Sequence, residues 1–326
     1  MKKLISLFLA CFLLFSALLP AFAAENAAPV VFIPGGAPVF TGAGEPVAPA
    51  AASFAEETYE KMLSAYKNAL YLGRWDVYFQ QLLAETEAAF ANYRPDETGA
   101  LPGEPEVVNG GTWGLLANSF YYDARRDPCA VADDLKAYID ALKAETGSDT
   151  VRIAAQGFGC AVASAYFAAY GWADVDAYVM IGSAAIGSQF VSEAFSGAFL
   201  ADDAAATRYA LRGTVPVEPL SALLAKSVAN AHLFGVLNAG ERLTEGLRSD
   251  AAAVASILRA SYALCPGVWA LVDDEHYEAA KAYIFGADAA YRDLIEVIDN
   301  YHGVQRRADE TLLQMRADGV YVYNIS

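Results

Sequence analysis

The chain has 326 residues, of which 56% are hydrophobic and 19% are charged, and its mean hydropathy is +0.25. This composition excludes a disordered chain and predicts a large buried core in one large or two modest domains. Asp and Glu outnumber Lys and Arg by 39 to 22, so the net charge of −17 predicts that nucleic acid is not a partner.

The first 23 residues have the pattern of a secretory signal peptide. Lys2 and Lys3 precede an apolar run over residues 4–19, and residues 21–23 are Ala-Phe-Ala. We predict cleavage after residue 23 and a secreted or extracytoplasmic location. Lipidation of Cys11 is the weaker alternative, because this cysteine lies in the middle of the apolar run. No later stretch approaches the roughly 18 apolar residues of a membrane span, so no transmembrane segment is expected after cleavage.

The chain beyond the signal peptide is predicted to begin with a strand, a loop, two helices and a long loop. A β-branched and aromatic run that stops at Gly35 and Gly36 is typical of a fully buried strand. The break between the two helices is expected at Gly73. In chain order, these elements are predicted over residues 29–36 (a strand that ends at Pro-Gly-Gly), 37–49, 54–72, 75–93 and 94–111.

The following 65 residues have the most regular pattern of the chain. A strand precedes a helix that opens at Asp127 and Pro128 and ends at Gly147, and a strand, a glycine turn, a helix and a strand follow. This order predicts an α/β fold with a parallel sheet and helical crossovers. The elements are predicted over residues 117–123, 127–147, 151–155, 156–159, 160–170 and 175–181.

The rest of the chain is predicted to be helical until its last strand. Ala-rich helical segments follow one another, and an apolar run over residues 319–325 then indicates a final buried strand. We therefore expect a core in residues 24–188, a helical cap or insertion in residues 189–317 and a final core strand in residues 318–326. The helical segments of the cap are predicted near residues 204–211, 220–237, 251–264 and 275–285.

Cysteine and histidine are too few to predict a metal site or a disulfide scaffold. The cysteines beyond the signal peptide allow one bridge, and the sequence does not indicate between which two. No histidine has the spacing of a zinc ligand. No metal or other cofactor is therefore expected. The residues concerned are Cys129, Cys160 and Cys265 and His232, His276 and His302.

The glycine turn at Gly157 lies between a strand and a helix, where two chemistries are commonly built. A dinucleotide site would need Gly-x-Gly-x-x-Gly/Ala, and Val162 occupies its third position. The nucleophile elbow of hydrolases has the pattern Gly-x-Ser-x-Gly, which residues 155–159 match in their small flanking residues. Gly157 occupies the central position, however, and glycine has no nucleophilic side chain.

Several segments together resemble one family. They are residues 30–35 (Val-Val-Phe-Ile-Pro-Gly), 120–128 (Phe-Tyr-Tyr-Asp-Ala-Arg-Arg-Asp-Pro), 155–159, 181–188 and 265–269 (Cys-Pro-Gly-Val-Trp). In this order the chain resembles the lecithin:cholesterol acyltransferase-like lipases and esterases of the α/β-hydrolase superfamily. The resemblance implies an α/β-hydrolase-like, mostly parallel sheet flanked by helices, with a large helical cap insertion. It implies hydrolysis or transfer of acyl esters as the family activity.

The resemblance also implies which residues would form the site, and the chain differs from the family at several of these positions. Backbone N–H groups of Gly35, Gly36 and Phe158 would form the oxyanion hole. Gly157 stands where the family has its nucleophile, and the catalytic acid and histidine would follow the strand at 319–325, beyond Ser326. We therefore expect missing C-terminal strands and a catalytically inactive protein.

Each candidate residue has a second, structural interpretation. Cys160 is a substitute nucleophile at the start of a helix, but packing between helix and sheet is the favoured interpretation. The histidines are expected to be surface or capping residues. Ser183, Ser188 and Asp127 are expected to cap helices, and Asp123 with Arg125 to form a structural ion pair. The cap aromatics could line an apolar cavity, although core packing is the simpler interpretation; they are Tyr262, Trp269, Tyr277 and Phe285.

These patterns lead to one preferred function and two alternatives. The preferred hypothesis is a secreted, inactive relative of lipases that binds an acyl or other apolar ligand under its helical cap. The first alternative is an active esterase or lipase from a truncated reading frame, with an unrecognised nucleophile such as Cys160. The second is a surface binding or interaction module that uses the fold only as a scaffold.

Overall fold

The computed structural model of the protein describes residues 28–36, 39–40, 56–102, 106–107, 118–200, 245–246 and 248–325. The predicted signal peptide and the predicted helical segments at 204–211 and 220–237 lie outside these residues. No helix within the described ranges is long and apolar enough to cross a membrane.

The described residues form six strands and ten α-helices. The strands are β1 (Val30–Ile33), β2 (Val39–Phe40), β3 (Glu106–Val107), β4 (Val151–Gln156), β5 (Val175–Ile181) and β6 (Tyr321–Ile325). The helices are α1 (Glu56–Leu72), α2 (Trp75–Phe90), α3 (Pro128–Thr146), α4 (Gly159–Tyr170), α5 (Gln189–Ser196), α6 (Ala251–Ala260), α7 (Pro266–Trp269), α8 (Tyr277–Phe285), α9 (Arg292–Gln305) and α10 (Ala308–Ala317).

Four of the strands form one parallel sheet in the order β1-β4-β5-β6. Helices α3, α4, α9 and α10 pack together, and α4 and α10 contact its strands. The predicted α/β fold, with a parallel sheet flanked by helices, is confirmed. A separate ribbon pairs β2 with β3 in antiparallel orientation.

Small side chains allow α4 to lie close to the sheet. The buried residues of α4 are mostly glycine, alanine, cysteine and valine, and they belong to the main hydrophobic core together with Val31, Ile33 and Ile153. Tyr301 on α9 and Met315 on α10 belong to the same core. The last two helices of the predicted 189–317 segment thus pack against the same core as the sheet.

Two further hydrophobic clusters lie among the remaining helices. One joins α5, α7, α8 and α9 around Trp269, and the other joins α1, α2 and α6 around Tyr78 and Phe79. The helices predicted at 54–72, 75–93, 251–264 and 275–285 correspond to α1, α2, α6 and α8, and each of them buries side chains in one of these clusters.

The ends of α3 show how particular residues determine where a helix begins and ends. The Asp127 carboxylate accepts a hydrogen bond from the backbone N–H of Cys129 at 3.0 Å, and Pro128 occupies the first turn. Gly147 adopts a φ of 69° and ends the helix by donating its N–H to the carbonyl of Lys143.

The predicted strand at residues 117–123 is wrong. Its described part contains one bridge, between Ser119 and Phe32, and then leaves the sheet as an extended segment. The physical reason lies in its side chains: the Tyr122 hydroxyl donates to the carbonyl of Pro34 at 2.7 Å, and Asp123 folds back onto Arg125. Backbone bonding of this described part to β1 is limited to Phe32, which donates to the carbonyl of Asn118 and accepts from the N–H of Phe120.

Candidate functional site

The turn between β4 and α4 has the strand-turn-helix form of a hydrolase elbow. Gly157 has a φ of 53° and donates its N–H to the carbonyl of Ile181 at 2.9 Å. Its own carbonyl accepts the N–H groups of Cys160 and Ala184, both at 3.2 Å. The turn is thus held between the carboxyl ends of β4 and β5, where α/β proteins commonly bind ligands.

Two glycines of this turn have different roles. A Cβ atom on Gly159 would lie 2.3 Å from the carbonyl oxygen of Ile33 and 2.7 Å from that of Pro34, so a side chain would collide with the end of β1. A Cβ atom on Gly157 would meet only the Cα of Gly35, at 4.0 Å. The elbow therefore has room for a Cβ atom at position 157, although its left-handed φ would strain any residue other than glycine.

The loop after β1 lies beside this turn. A Cβ atom on Gly35 would be 3.4 Å from the carbonyl oxygen of Gln156 and 3.8 Å from the backbone nitrogen of Phe158. Gly36 has a φ of 151°, and a Cβ atom there would lie 3.6 Å from the Cβ of Ala124. Of the three predicted oxyanion residues, the structure thus brings Gly35 and Phe158 together, whereas Gly36 faces the segment after the bridge at Ser119.

Tyr122, which was not among the predicted site residues, contacts both the loop after β1 and the elbow. Besides its hydrogen bond to the carbonyl of Pro34, its ring stacks on Phe158 with centroids 6.0 Å apart. The Tyr122 side chain therefore links the loop after β1 to the elbow. A buried tyrosine in an aromatic run was the only sequence signal for it.

Cys160 faces away from the surface. It is fully buried in the main core, and its Sγ donates to the carbonyl of Ala155 at 3.3 Å. Burial raises the pKa of its thiol, and Ser183 and Tyr178 offset this only in part. The reactive thiolate is therefore disfavoured at this position, despite the helix N-terminus.

The three described cysteines are free thiols. Burial raises the pKa of Cys129 to about 12 and that of Cys265 to about 12. We expect the folded protein at pH 8 to react with a thiol reagent such as DTNB only slowly, and only at the half-buried Cys129. All three should react at once after denaturation, which a comparison of labelling with and without guanidinium checks. Rapid labelling of native Cys160 would contradict the buried placement.

The two described histidines each lie beside an aspartate of the segment between α7 and α8. His276 lies 2.7 Å from Asp273 through its Nδ1, and His302 lies 3.0 Å from Asp274 through its Nε2. His302 also stacks on the ring of Tyr277 at 3.6 Å. Within the described ranges, neither imidazole has a recorded contact with the elbow, and His232 lies outside these ranges.

Asp273 lies close to the loop that follows β5. It accepts hydrogen bonds from His276, and its backbone N–H donates to Ser192 Oγ at 2.9 Å. Although burial opposes ionisation, hydrogen bonds from His276 and Ser192 hold the pKa of Asp273 below its ordinary value. A Cβ atom on Gly187 would lie 2.8 Å from its backbone nitrogen. The Asp-x-x-His spacing at 273–276 is the sequence signal for this pair, which was not among the predicted site residues.

The remaining polar candidates occupy structural positions. Ser183 Oγ accepts the backbone N–H of Ala185 at 3.2 Å. Ser188 immediately precedes α5, but its side chain makes no capping hydrogen bond. Asp123 and Arg125 form a buried ion pair with a closest approach of 2.6 Å.

The aromatic candidates pack against neighbouring side chains. Trp269 stacks on Phe285 with centroids 5.1 Å apart and meets Tyr277 edge-on at 5.9 Å. Tyr262 packs on Phe90 at 5.0 Å. An apolar hollow of about 1140 Å³ lies elsewhere, along the face of β5 and β6 that includes Val179.

The described residues contain no cluster of three or more His, Cys, Asp or Glu side chains placed to hold a metal ion. No family model matches the chain, and no curated protein matches it. A chain from a crystal structure of the Tle4–Tli4 complex is similar, with a TM-score of 0.31 and 11% sequence identity over 87% of this chain and 72% of that chain. A likeness at this level carries no functional argument, so the α/β fold stands on its own sheet and helices.

Proposed function

We propose that the protein is an exported relative of the α/β-hydrolase lipases and acyltransferases that binds an acyl ligand without hydrolysing it through the elbow. The observation that carries this proposal is Gly157. It occupies the left-handed turn where a hydrolase exposes its nucleophile, and it has neither a hydroxyl nor a thiol.

The geometry around the turn supports binding of a carbonyl or carboxylate oxygen. Phe158 lies at the N-terminus of α4, where backbone N–H groups and the helix dipole favour negative charge. The loop at Gly35 lies beside it, and a Cβ atom on Gly157 would have only the Cα of Gly35 within 4.0 Å. A ligand oxygen can therefore occupy space that a serine side chain would otherwise take.

The buried placement of Cys160 supports the absence of a substitute nucleophile. Its thiol lies in the core, its pKa is raised, and no described histidine contacts it. Attack by this sulfur would require both a thiolate and exposure to the ligand. The protein is thus expected to release no alcohol from p-nitrophenyl esters and to remain unlabelled by fluorophosphonates.

Substitution of Gly35 tests ligand binding with little risk to the fold. In Gly35→Ala the new methyl group would make ordinary contacts at 3.4 Å and 3.8 Å, and it would lie over the backbone nitrogen of Phe158. We expect the affinity for free fatty acids, measured by calorimetry, to fall by about tenfold or more, which corresponds to the loss of one hydrogen bond to a charged group.

Gly303→Ala is the matched control, since a Cβ atom there meets nothing within 4 Å. It should bind as the unchanged protein does. Equal affinity in Gly35→Ala and the unchanged protein would place the ligand elsewhere. Ester hydrolysis by the unchanged protein, abolished by a single substitution, would contradict the absence of catalysis.

A further inference from the structure

β6 presents an unpaired edge within the described part of the chain. It pairs with β5 on one side, and no described strand lies on the other. Tyr321, Tyr323 and Ile325 are 67%, 56% and 42% exposed. Because side chains alternate along a strand, these three share one face, and Val322 packs on the opposite face against the core.

This edge has none of the features that usually prevent pairing between strands. Its sequence, Tyr-Val-Tyr-Asn-Ile, contains no charge and no proline. Its register with β5 runs without a bulge from Tyr321 to Ile325. Natural edge strands commonly carry lysine, proline or a bulge. An uncharged edge is notable in a chain with a net charge of −17, because the strand itself contributes no like charges when two copies approach.

We propose that β6 pairs in antiparallel orientation with β6 of a second copy across a two-fold axis, which joins the two sheets. With five residues, the symmetric register places Tyr323 opposite the partner's Tyr323 and Tyr321 opposite the partner's Ile325. Aromatic and β-branched pairs of this kind stabilise antiparallel strands. A two-fold contact of one surface with itself is also the commonest form of protein assembly.

Side chains of helix α10 beside β6 are also consistent with a two-fold arrangement of two copies. Asp309, Leu313 and Arg316 lie along the groove between α10 and β6, and Leu313 is 67% exposed. Asp309 and Arg316 have no recorded ion pair within the described residues. In the antiparallel arrangement Leu313 lies near the axis, and Asp309 of one copy approaches Arg316 of the other. The charges beside the strand are therefore complementary between copies.

The available area agrees with a modest dimer. A five-residue strand presents about 17 Å of backbone edge, and a tyrosine side chain offers roughly 150–250 Å². Two tyrosines that are more than half exposed, together with Ile325 and Leu313, approach roughly 500 Å² per copy, which is the lower limit for a specific interface and corresponds to a weak dimer.

Charge at the centre of the edge tests the proposal. Sedimentation of the purified protein at about 1–100 μM should show a dimer. Tyr323→Lys and Tyr323→Glu each place two like charges at the axis, so each variant alone should sediment as a monomer. An equimolar mixture should dimerise again, because lysine then faces glutamate. Tyr71→Lys is the matched control: Tyr71 is 66% exposed on α1, and this variant should remain dimeric.

A second pair of variants leaves the strand unchanged. Arg316→Asp should raise the dissociation constant at least about tenfold, and Asp309→Arg in the same chain should restore it. Circular dichroism confirms that each variant is folded. A monomeric unchanged protein over the whole concentration range would overturn the proposal. So would a dimeric Tyr323→Lys variant, or a mixture of folded Lys and Glu variants that stays monomeric.

Discussion

Replacing Arg125 with alanine is expected to lower the free energy of unfolding by about 3–5 kcal/mol, one of the largest effects of a single substitution in this protein. The side chains of Arg125 and Asp123 are 4% and 2% exposed. Removing one partner of such a pair leaves the other charge buried and uncompensated.

The contacts of Arg125 explain why both partners are needed. Its Nε and Nη2 donate to the Asp123 carboxylate, and its Nη1 donates to the carbonyl of Tyr93 at 2.7 Å. Burial alone would lower the pKa of Arg125, but the hydrogen bonds and charge of Asp123 raise it, so the guanidinium stays charged. The pair thus connects the segment after the Ser119 bridge to the end of α2.

Denaturant unfolding followed by circular dichroism measures this effect. Arg126→Ala is the adjacent control: this arginine pairs with Asp134 at the surface, and its loss should change stability by at most about 1 kcal/mol. The double variant Asp123→Leu with Arg125→Met removes both charges and should unfold less easily than Arg125→Ala. Similar stability of Arg125→Ala and Arg126→Ala would contradict a structural role for the buried pair.

The sequence predicted the parallel sheet well where its local signals agreed with the tertiary contacts. β5 spans Val175–Ile181, as predicted, because a β-branched run lies between Gly171 and Gly182, both with positive φ. The segment at 117–123 has no β-branched residue, and its described part forms one bridge; beyond it Tyr122 donates to the carbonyl of Pro34 and Asp123 pairs with Arg125. Hydrophobic periodicity along the chain does not predict such side-chain contacts.

The candidate site was predictable as a turn but not as an arrangement of side chains. Small residues around Gly157 predicted the elbow, and the adjacency of Gly35 and Phe158 follows from the parallel order of β1 and β4. The Cys160 side chain points into the core because α4 begins at Gly159. Gly159 lies so close to the end of β1 that no side chain fits there. If the helix began one residue earlier or later, the Cys160 side chain would point in another direction. The sequence does not define the helix start that closely, so the direction of this thiol was not predictable.

Replacing Gly159 with alanine is expected to cost about 3 kcal/mol or more in unfolding free energy. The added methyl group would lie 2.3 Å and 2.7 Å from two carbonyl oxygens of the chain leaving β1, and backbone cannot move aside as a flexible side chain can. Either α4 must separate from the sheet, or the loop at Gly35 must shift away from Phe158. Both responses open the main core where it meets the elbow.

Gly157→Ala separates this steric effect from backbone strain at the same turn. Here the methyl group has space, and the expected cost is only the roughly 1–2 kcal/mol of placing a side chain at a left-handed φ of 53°. Thermal unfolding of both variants beside the unchanged protein tests the difference. If Gly157→Ala were the more destabilised of the two, strain rather than the contact with β1 would control the turn. If the expected order holds, position 157 could accept a serine while 159 could not, and glycine at 157 would then be no requirement of the fold.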